Sequence, residues 1–275
     1  MNPKSDNCVP TAVRTHFGDV SKNWADRYTS NPRSMSDLDL ILRRENAQDF
    51  MRSIIAESEE QLDVLDVGCG TGNALDGISR EAIRVTGIDA VAEMVRVASH
   101  EHPEDRFFQA AVQDLPFEDH SADVVVCLGV LEYLVDPQPA LDSFRRVLRP
   151  GGRLIVSFPN KKSLFRRVTR RINGIEDNLN GVRKIFSQKS RRPTSEPSYR
   201  HFQWSFNQSQ SLLRNAGFAV LGCKFSNFGI WGRVGRLHVS MAVSSWLSRI
   251  LADSRCFGGG LACTMVLHAQ KAGDS

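Results

Sequence analysis

The chain predicts an α/β fold, a doubly wound and mostly parallel sheet with helices on both faces. Three observations carry this. Short aliphatic runs alternate with amphipathic stretches from Asp63 to Pro159. The run Val64-Leu65-Asp66-Val67 leads directly into a glycine turn, Gly68-Cys69-Gly70-Thr71-Gly72. A second aliphatic run, Val85 to Ile88, ends on Asp89. Strand and helix in alternation require right-handed crossovers and a parallel sheet, whose ligands sit at the carboxyl ends of the strands. The glycine turn and Asp89 both fall at such ends.

In chain order, residues 1–60 read as a helical cap, with Phe17, Trp24 and Tyr28 on one helix. Strands are expected at 63–67, 84–88, 106–110, 123–128 and 152–158. Helices are expected at 73–81, 91–100 and 137–148. Val91, Met94, Val95 and Ala98, for example, repeat at helical spacing. Pro150-Gly151-Gly152 closes a helix and turns the chain into the fifth strand. The core therefore spans 61–160. After Pro159 the rhythm breaks into a basic, polar insert at 161–207, the expected lid. Residues 208–275 then complete the sheet with a helix at 208–216 and strands at 218–223 and 262–270. An apolar insert at 226–260 interrupts them and ends on Gly258-Gly259-Gly260.

At 275 residues, 41% hydrophobic and 24% charged, the composition is that of a soluble globular protein. No run approaches the roughly 18 apolar residues that span a bilayer. The polar start, Met1 to Asp6, lacks the apolar core of a signal peptide. A cytoplasmic protein is the expectation. Six scattered cysteines (8, 69, 127, 223, 256, 263) form no C-x-x-C pair and are expected to be reduced thiols, without zinc or disulfides. The charge is segregated. Residues 161–192 hold eleven basic side chains against Glu176 and Asp177, a net +9, while the remainder holds 24 basic and 29 acidic residues, a net −5. Within that stretch Leu164, Phe165, Val168 and Ile172 recur at helical spacing, with Arg166, Arg167, Arg170 and Arg171 mostly opposite. This is the pattern of a helix lying on an anionic membrane surface. The same charge suits steering of an acidic carrier or a phosphorylated acceptor, and charge runs are also ordinary solvated faces.

Three glycines without Cβ atoms let a bulky nucleoside lie against bare backbone. Asp89, seventeen residues past Gly72, can accept from both hydroxyls of a ribose. The pattern is G-x-G-x-G rather than G-x-G-x-x-G, which disfavours a dinucleotide site. Taken alone, the turn leaves a nucleoside site and an ordinary α/β connection both open.

Further segments narrow the reading. Gln113-Asp114-Leu115-Pro116-Phe117, Leu128-Gly129-Val130-Leu131-Glu132-Tyr133 and Phe144-Arg145-Arg146-Val147-Leu148-Arg149-Pro150-Gly151-Gly152 follow in order. Together with the glycine turn and Gly87-Ile88-Asp89, they make residues 62–217 resemble the class I S-adenosylmethionine-dependent methyltransferases. The resemblance is greatest to the ubiquinone- and menaquinone-type and related small-molecule enzymes. It implies a Rossmann-like seven-stranded sheet whose last strand is antiparallel. It also implies S-adenosylmethionine as cofactor, held at the methionine end by Asp66, Gly68, Gly70 and Gly72, with Asp66 orienting the glycine turn as the competing reading. Asp89 would take the ribose, Ala90 and Met94 the adenine face, Val112 and Gln113 its amino edge, and Leu128 the pocket wall. One departure stands out: Ala111 occupies a place where the family often has an aspartate.

Methyl transfer from a sulfonium needs alignment and a dry site, not a covalent nucleophile or a metal. An alcohol or phenol acceptor also needs a base. His201, just before the helix at 208–216, is the first candidate base, and a plain lid histidine is the competing reading. Glu132 and Tyr133 follow the fourth strand, near where an acceptor should lie, although Glu132 could equally brace its turn. Trp24 and Tyr28 are candidates to cover the methionine end. Phe202, Trp204, Phe206, Phe228 and Trp231 are candidate acceptor walls. The expected reaction is O-methylation of a small molecule, lipid-like or carrier-bound. Methylation of RNA or another nucleic acid is the alternative, disfavoured because no N-P-P-aromatic turn follows the fourth strand. A non-catalytic cofactor-binding regulator is the third reading.

Overall fold

The computed structural model describes residues 10–28, 31–168, 171, 201–229 and 238–273. After α1 (Thr11–Val20) and α2 (Met35–Ala56), the chain alternates β1 (Leu62–Val67), β2 (Ile83–Asp89), α3 (Ala92–Glu101), β3 (Arg106–Gln109), β4 (Ala122–Cys127), α4 (Gln138–Val147) and β5 (Leu148–Pro159). It ends with α5 (Phe206–Asn215), β6 (Phe218–Ser226), α6 (His238–Leu251), α7 (Arg255–Leu261) and β7 (Thr264–Lys271).

The strands form one seven-stranded sheet in the order β3-β2-β1-β4-β5-β7-β6. β1 pairs in parallel with β2 and β4, while β7 runs antiparallel between β5 and β6. The expected Rossmann-like sheet with an antiparallel last strand is present. The chain winds outward from β1 to β3 and then restarts at β4 on the other side. That reversal opens a crevice beyond the carboxyl ends of β1 and β4.

Strand alternation sorts the core into two layers. Val125 and Cys127 of β4 and Leu154, Val156 and Phe158 of β5 join Phe144, Val147 and Leu213, which come from α4 and α5. Val124 and Val126, with Ile155 and Val266, face Ala47, Met51 and Ile54 of α2. Phe144, Phe158 and Met51 are fully buried, each stabilising the fold by roughly 1.5–3 kcal/mol relative to exposure.

Two expectations are corrected. The helix expected at 73–81 shrinks to one 3-10 turn, Asn73–Leu75, which ends where Asp76 turns to ψ 134 and Gly77 follows at φ +78. Its face of the sheet is covered by α2, which is therefore a layer of the fold rather than part of a cap. Gln48 on α2 secures the short turn by donating to the carbonyls of Ala74 and Asp76 at 3.1 and 2.8 Å. Phe17, Trp24 and Tyr28 do not share a helix. Phe17 lies on α1, Trp24 caps a 3-10 turn, and Tyr28 ends another.

The basic segment is described only at its start. Residues 164–168 are helical, with Leu164 exposed and Phe165 packed on the core. Arg166 does not point outward as its spacing suggested: its Nε donates to the Cys263 carbonyl at 2.9 Å. Arg170 and residues 172–192, which together hold six of the eleven basic side chains, and Trp231 lie outside the described residues. Among those described, no helix is long and apolar enough to cross a membrane.

Candidate active site

Where β1 ends, the N–H groups of Gly68 and Cys69 both donate to the Ile88 carbonyl, at 2.7 and 2.9 Å, which pins the glycine turn to β2. Gly68 sits at φ +73, and a Cβ there would run into the Val130 side chain. Only glycine fits both demands. At the end of β2, Asp89 is clamped by two donors. Gly70 N–H reaches Oδ2 at 3.0 Å and Val91 N–H reaches Oδ1 at 2.8 Å. Burial raises the Asp89 pKa, and the N–H groups of Val91, Gly70 and Ala90 pull it back down. Each carboxylate oxygen keeps further acceptor capacity toward the cavity.

That cavity, of about 340 Å³, has Gly68, Cys69, Gly70 and Asp89 on one side. Ala90, Met94, Val112 and Leu128 line an apolar slot beside them. Bare backbone, a fixed carboxylate and an apolar slot suit a nucleoside. Asp66, Gly72 and Gln113 are not on the wall, contrary to expectation. Strand alternation turns Asp66 to the Val64 side, beneath α2. Gly72, at φ +86, instead turns the chain against His102 and Phe107. The Gln113 carbonyl accepts from Ser143 Oγ at 3.0 Å, tying that residue to α4.

Asp66 acts on the site from below. Burial first, then the charges of Asp89, Asp105 and Asp76, push its pKa up to about 7. A carboxyl raised in the folded state stabilises the fold most below the unfolded pKa near 4, and that contribution is lost as pH climbs through 7. Asp66→Asn removes the titration. Its Tm without ligand should overtake that of the parent as pH rises from 4 to 8, with a full difference of roughly 4 kcal/mol. Parallel melting curves across that pH range would contradict the assignment.

The rest of the cavity wall is charged and aromatic, with Trp24 reaching to Gly70. Phe17, Trp24, Tyr28 and Tyr133 enter it, and Phe17 packs edge-on against Trp24 at 5.2 Å and Tyr133 at 5.4 Å. Arg27 lies 4.5 Å over the Trp24 ring and pairs with Asp37 at 2.7 Å, fastening this roof to α2. His201 stands at the mouth with its ring 4.6 Å from that of Tyr133. Main-chain bonds place it there: Phe202 N–H donates to the Glu132 carbonyl at 2.9 Å, and Trp204 N–H to the Pro159 carbonyl at 3.1 Å. Desolvation, followed by the positive charges of Arg166 and Arg43 and by His16, lowers the His201 pKa below the ordinary imidazole value.

Glu132 is buried, and its Oε1 lies 3.5 Å from Arg43 Nη1. Its Oε2 has no hydrogen-bond partner among the described residues, and burial raises its pKa. Arg43, from α2, and Arg166 both line the cavity, and sequence reasoning missed them as site residues. Phe202, Trp204, Phe206 and Phe228 do not line it. Trp204 and Phe206 pack against the main core and Phe228 is buried within it.

Comparison with known proteins bears on this site. Residues 65–156 match the family model described as a methyltransferase domain. The chain is 26% identical over 200 residues to the ubiquinone/menaquinone biosynthesis C-methyltransferase of Campylobacter jejuni, covering 70% of this chain and 84% of that protein. It is 38% identical over 104 residues to the ubiquinone biosynthesis O-methyltransferase of Xylella fastidiosa, covering 36% of this chain but only 42% of the relative. The fold superimposes on magnesium protoporphyrin IX methyltransferase from Synechocystis PCC 6803, solved with bound SAH. The TM-score is 0.63 at 17% identity, over 95% of this chain and 99% of the other.

Proposed function

We infer that this chain, a class I S-adenosylmethionine-dependent methyltransferase, methylates a hydroxyl of a small acceptor held between the glycine turn and His201. The observation that carries this reading is one cavity holding both the Gly68–Asp89 cradle and His201, whose imidazolium is disfavoured by desolvation and then by the charges of Arg166 and Arg43.

When bound, S-adenosylmethionine supplies a methyl group already activated by a sulfonium charge. Gly68 and Gly70 would offer bare backbone to the cofactor, Asp89 would accept from its ribose, and Met94, Val112 and Leu128 would flank its base. The protein is left with positioning, water exclusion and one proton. Phe17, Trp24 and Tyr28 roof the cavity against water. His201, neutral at physiological pH, takes the acceptor proton at a ring nitrogen. Arg43 and Arg166 favour the oxyanion that results. Glu132 lowers the cost of burying Arg43 and presents Oε2 to a donor on the acceptor. A roofed cavity suits a small molecule better than a polynucleotide, whose backbone needs an open groove.

The test is transfer of labelled methyl from S-adenosylmethionine to paired acceptors that differ only in a phenolic hydroxyl or an amine. The hydroxyl partner should be labelled at least tenfold faster. Equal or faster labelling of the amine would remove the oxygen assignment while leaving methyl transfer in place.

A further inference from the structure

Helix α6 packs Met241, Leu247 and Leu251 inward yet turns a second apolar stripe outward. Val243, Trp246 and Ile250 lie one turn apart and are 48%, 60% and 60% exposed, whereas Ser244 and Ser248 are buried with Met241 and Ala252. The serines are committed to the interior: Ser248 Oγ donates to the Ser244 carbonyl at 2.7 Å and accepts from Asn227 N–H at 3.0 Å. A surface helix ordinarily turns its apolar stripe inward. Single exposed hydrophobics are common, but a tryptophan and two aliphatics on one stripe form a patch.

Charge says what covers it. Residues 161–252 carry seventeen basic and three acidic side chains, a net +14, while the rest of the chain carries eighteen basic and 28 acidic, a net −10. The segment Pro197–Ala252 has no acidic residue at all. Helix α7 follows α6 directly, and its Gly260 walls a groove with Lys161, Lys162 and Arg167. Leu164, 45% exposed, belongs to the same short helix as Arg167. In the chain, α7 thus connects the helix of the apolar stripe to the wall of the cationic groove.

We propose that this face docks the protein on a bilayer bearing anionic headgroups, with Trp246 in the interfacial zone and Lys161, Lys162 and Arg167 against the phosphates. Tryptophan favours that zone, and each basic residue near an anionic surface adds to the attraction. A second copy packed through the same face is the wrong occupant, because it would set one strongly cationic segment against another. Arg166, which lines the cavity, immediately precedes Arg167 of the groove, so the cationic groove reaches to the cavity wall. A lipid-soluble acceptor would then enter without crossing bulk water. The binding does not depend on which atom is methylated.

The test is co-sedimentation of the full chain with phosphatidylcholine vesicles, and with phosphatidylcholine vesicles containing phosphatidylglycerol. Binding should require phosphatidylglycerol and weaken with salt. Trp246→Ser and, separately, Lys161→Glu with Lys162→Glu should each reduce it about tenfold. Labelling of a water-soluble acceptor should be unchanged in both, which shows that they fold. No binding to either vesicle, equal binding to both, or binding that ignores both variants overturns the proposal. So does a concentration-dependent dimer, seen by light scattering, that Trp246→Ser abolishes, since that would assign the patch to self-association.

Discussion

Calorimetric titration of Asp89→Ala with S-adenosylmethionine is expected to show an affinity loss of about a hundredfold or more. The carboxylate stands at the end of β2 with both oxygens oriented by Gly70 and Val91 N–H groups. Two ribose hydroxyls donating to a charged acceptor are worth about 1.5–3 kcal/mol each, and a tenfold change is about 1.4 kcal/mol. The same substitution frees the Gly70 and Val91 N–H groups, so loosening of the turn must be separated from loss of ribose contact. A cofactor analogue lacking both ribose hydroxyls does this. The parent protein should bind the analogue far more weakly than the cofactor, whereas Asp89→Ala should hardly distinguish them. That is the non-additivity expected of groups in direct contact. If Asp89→Ala still prefers the cofactor over the analogue by the parent's margin, the ribose lies elsewhere.

How far this site can be read from sequence depends on how local each part is. Gly68, Gly70 and Asp89 lie at the ends of two adjacent buried strands, and their spacing alone brings them together. Ala90 and Met94 follow on the next helix. The acceptor end has no such signature, because it is assembled from α1, α2, the turn after β4, residue Arg166 and the loop at His201. Arg43 sits on a helix whose apolar and polar residues show no clean stripe, since α2 is buried along much of its length. Arg166 resembled its neighbours Arg167, Arg170 and Arg171. The Cys263 carbonyl, 97 residues away, holds it inward. The aromatics at 202–228 misled for a related reason. Proximity to His201 in sequence suggested shared walls, but Trp204 follows its main-chain bond to Pro159 into the core. Asp66 was misplaced by motif analogy, which fixes a residue's strand but not which face its side chain takes.

Substituting glutamine for His201 is expected to lower kcat by about a hundredfold or more, the usual contribution of a positioned general base. Cofactor affinity should be unchanged, because the ring lies at the mouth, beside Tyr133 rather than beside Asp89. Slow turnover alone would not separate a base from a residue that merely shapes the entrance, so the pH profile carries the argument. Desolvation, Arg166, Arg43 and His16 all disfavour the imidazolium, which moves its titration below the ordinary 6.5. In the free enzyme, kcat/KM should therefore rise with pH through one step below 6.5 and stay level across neutrality. His201→Gln should abolish that step as well as the rate, and Arg166→Gln should shift the step toward 6.5 by removing one of the charges that depress it. A residue that only packed against Tyr133 would leave the step where it was. If the step survives in His201→Gln, the proton goes to another group. Glu132, buried near Arg43 with a raised pKa, is then the residue to replace next.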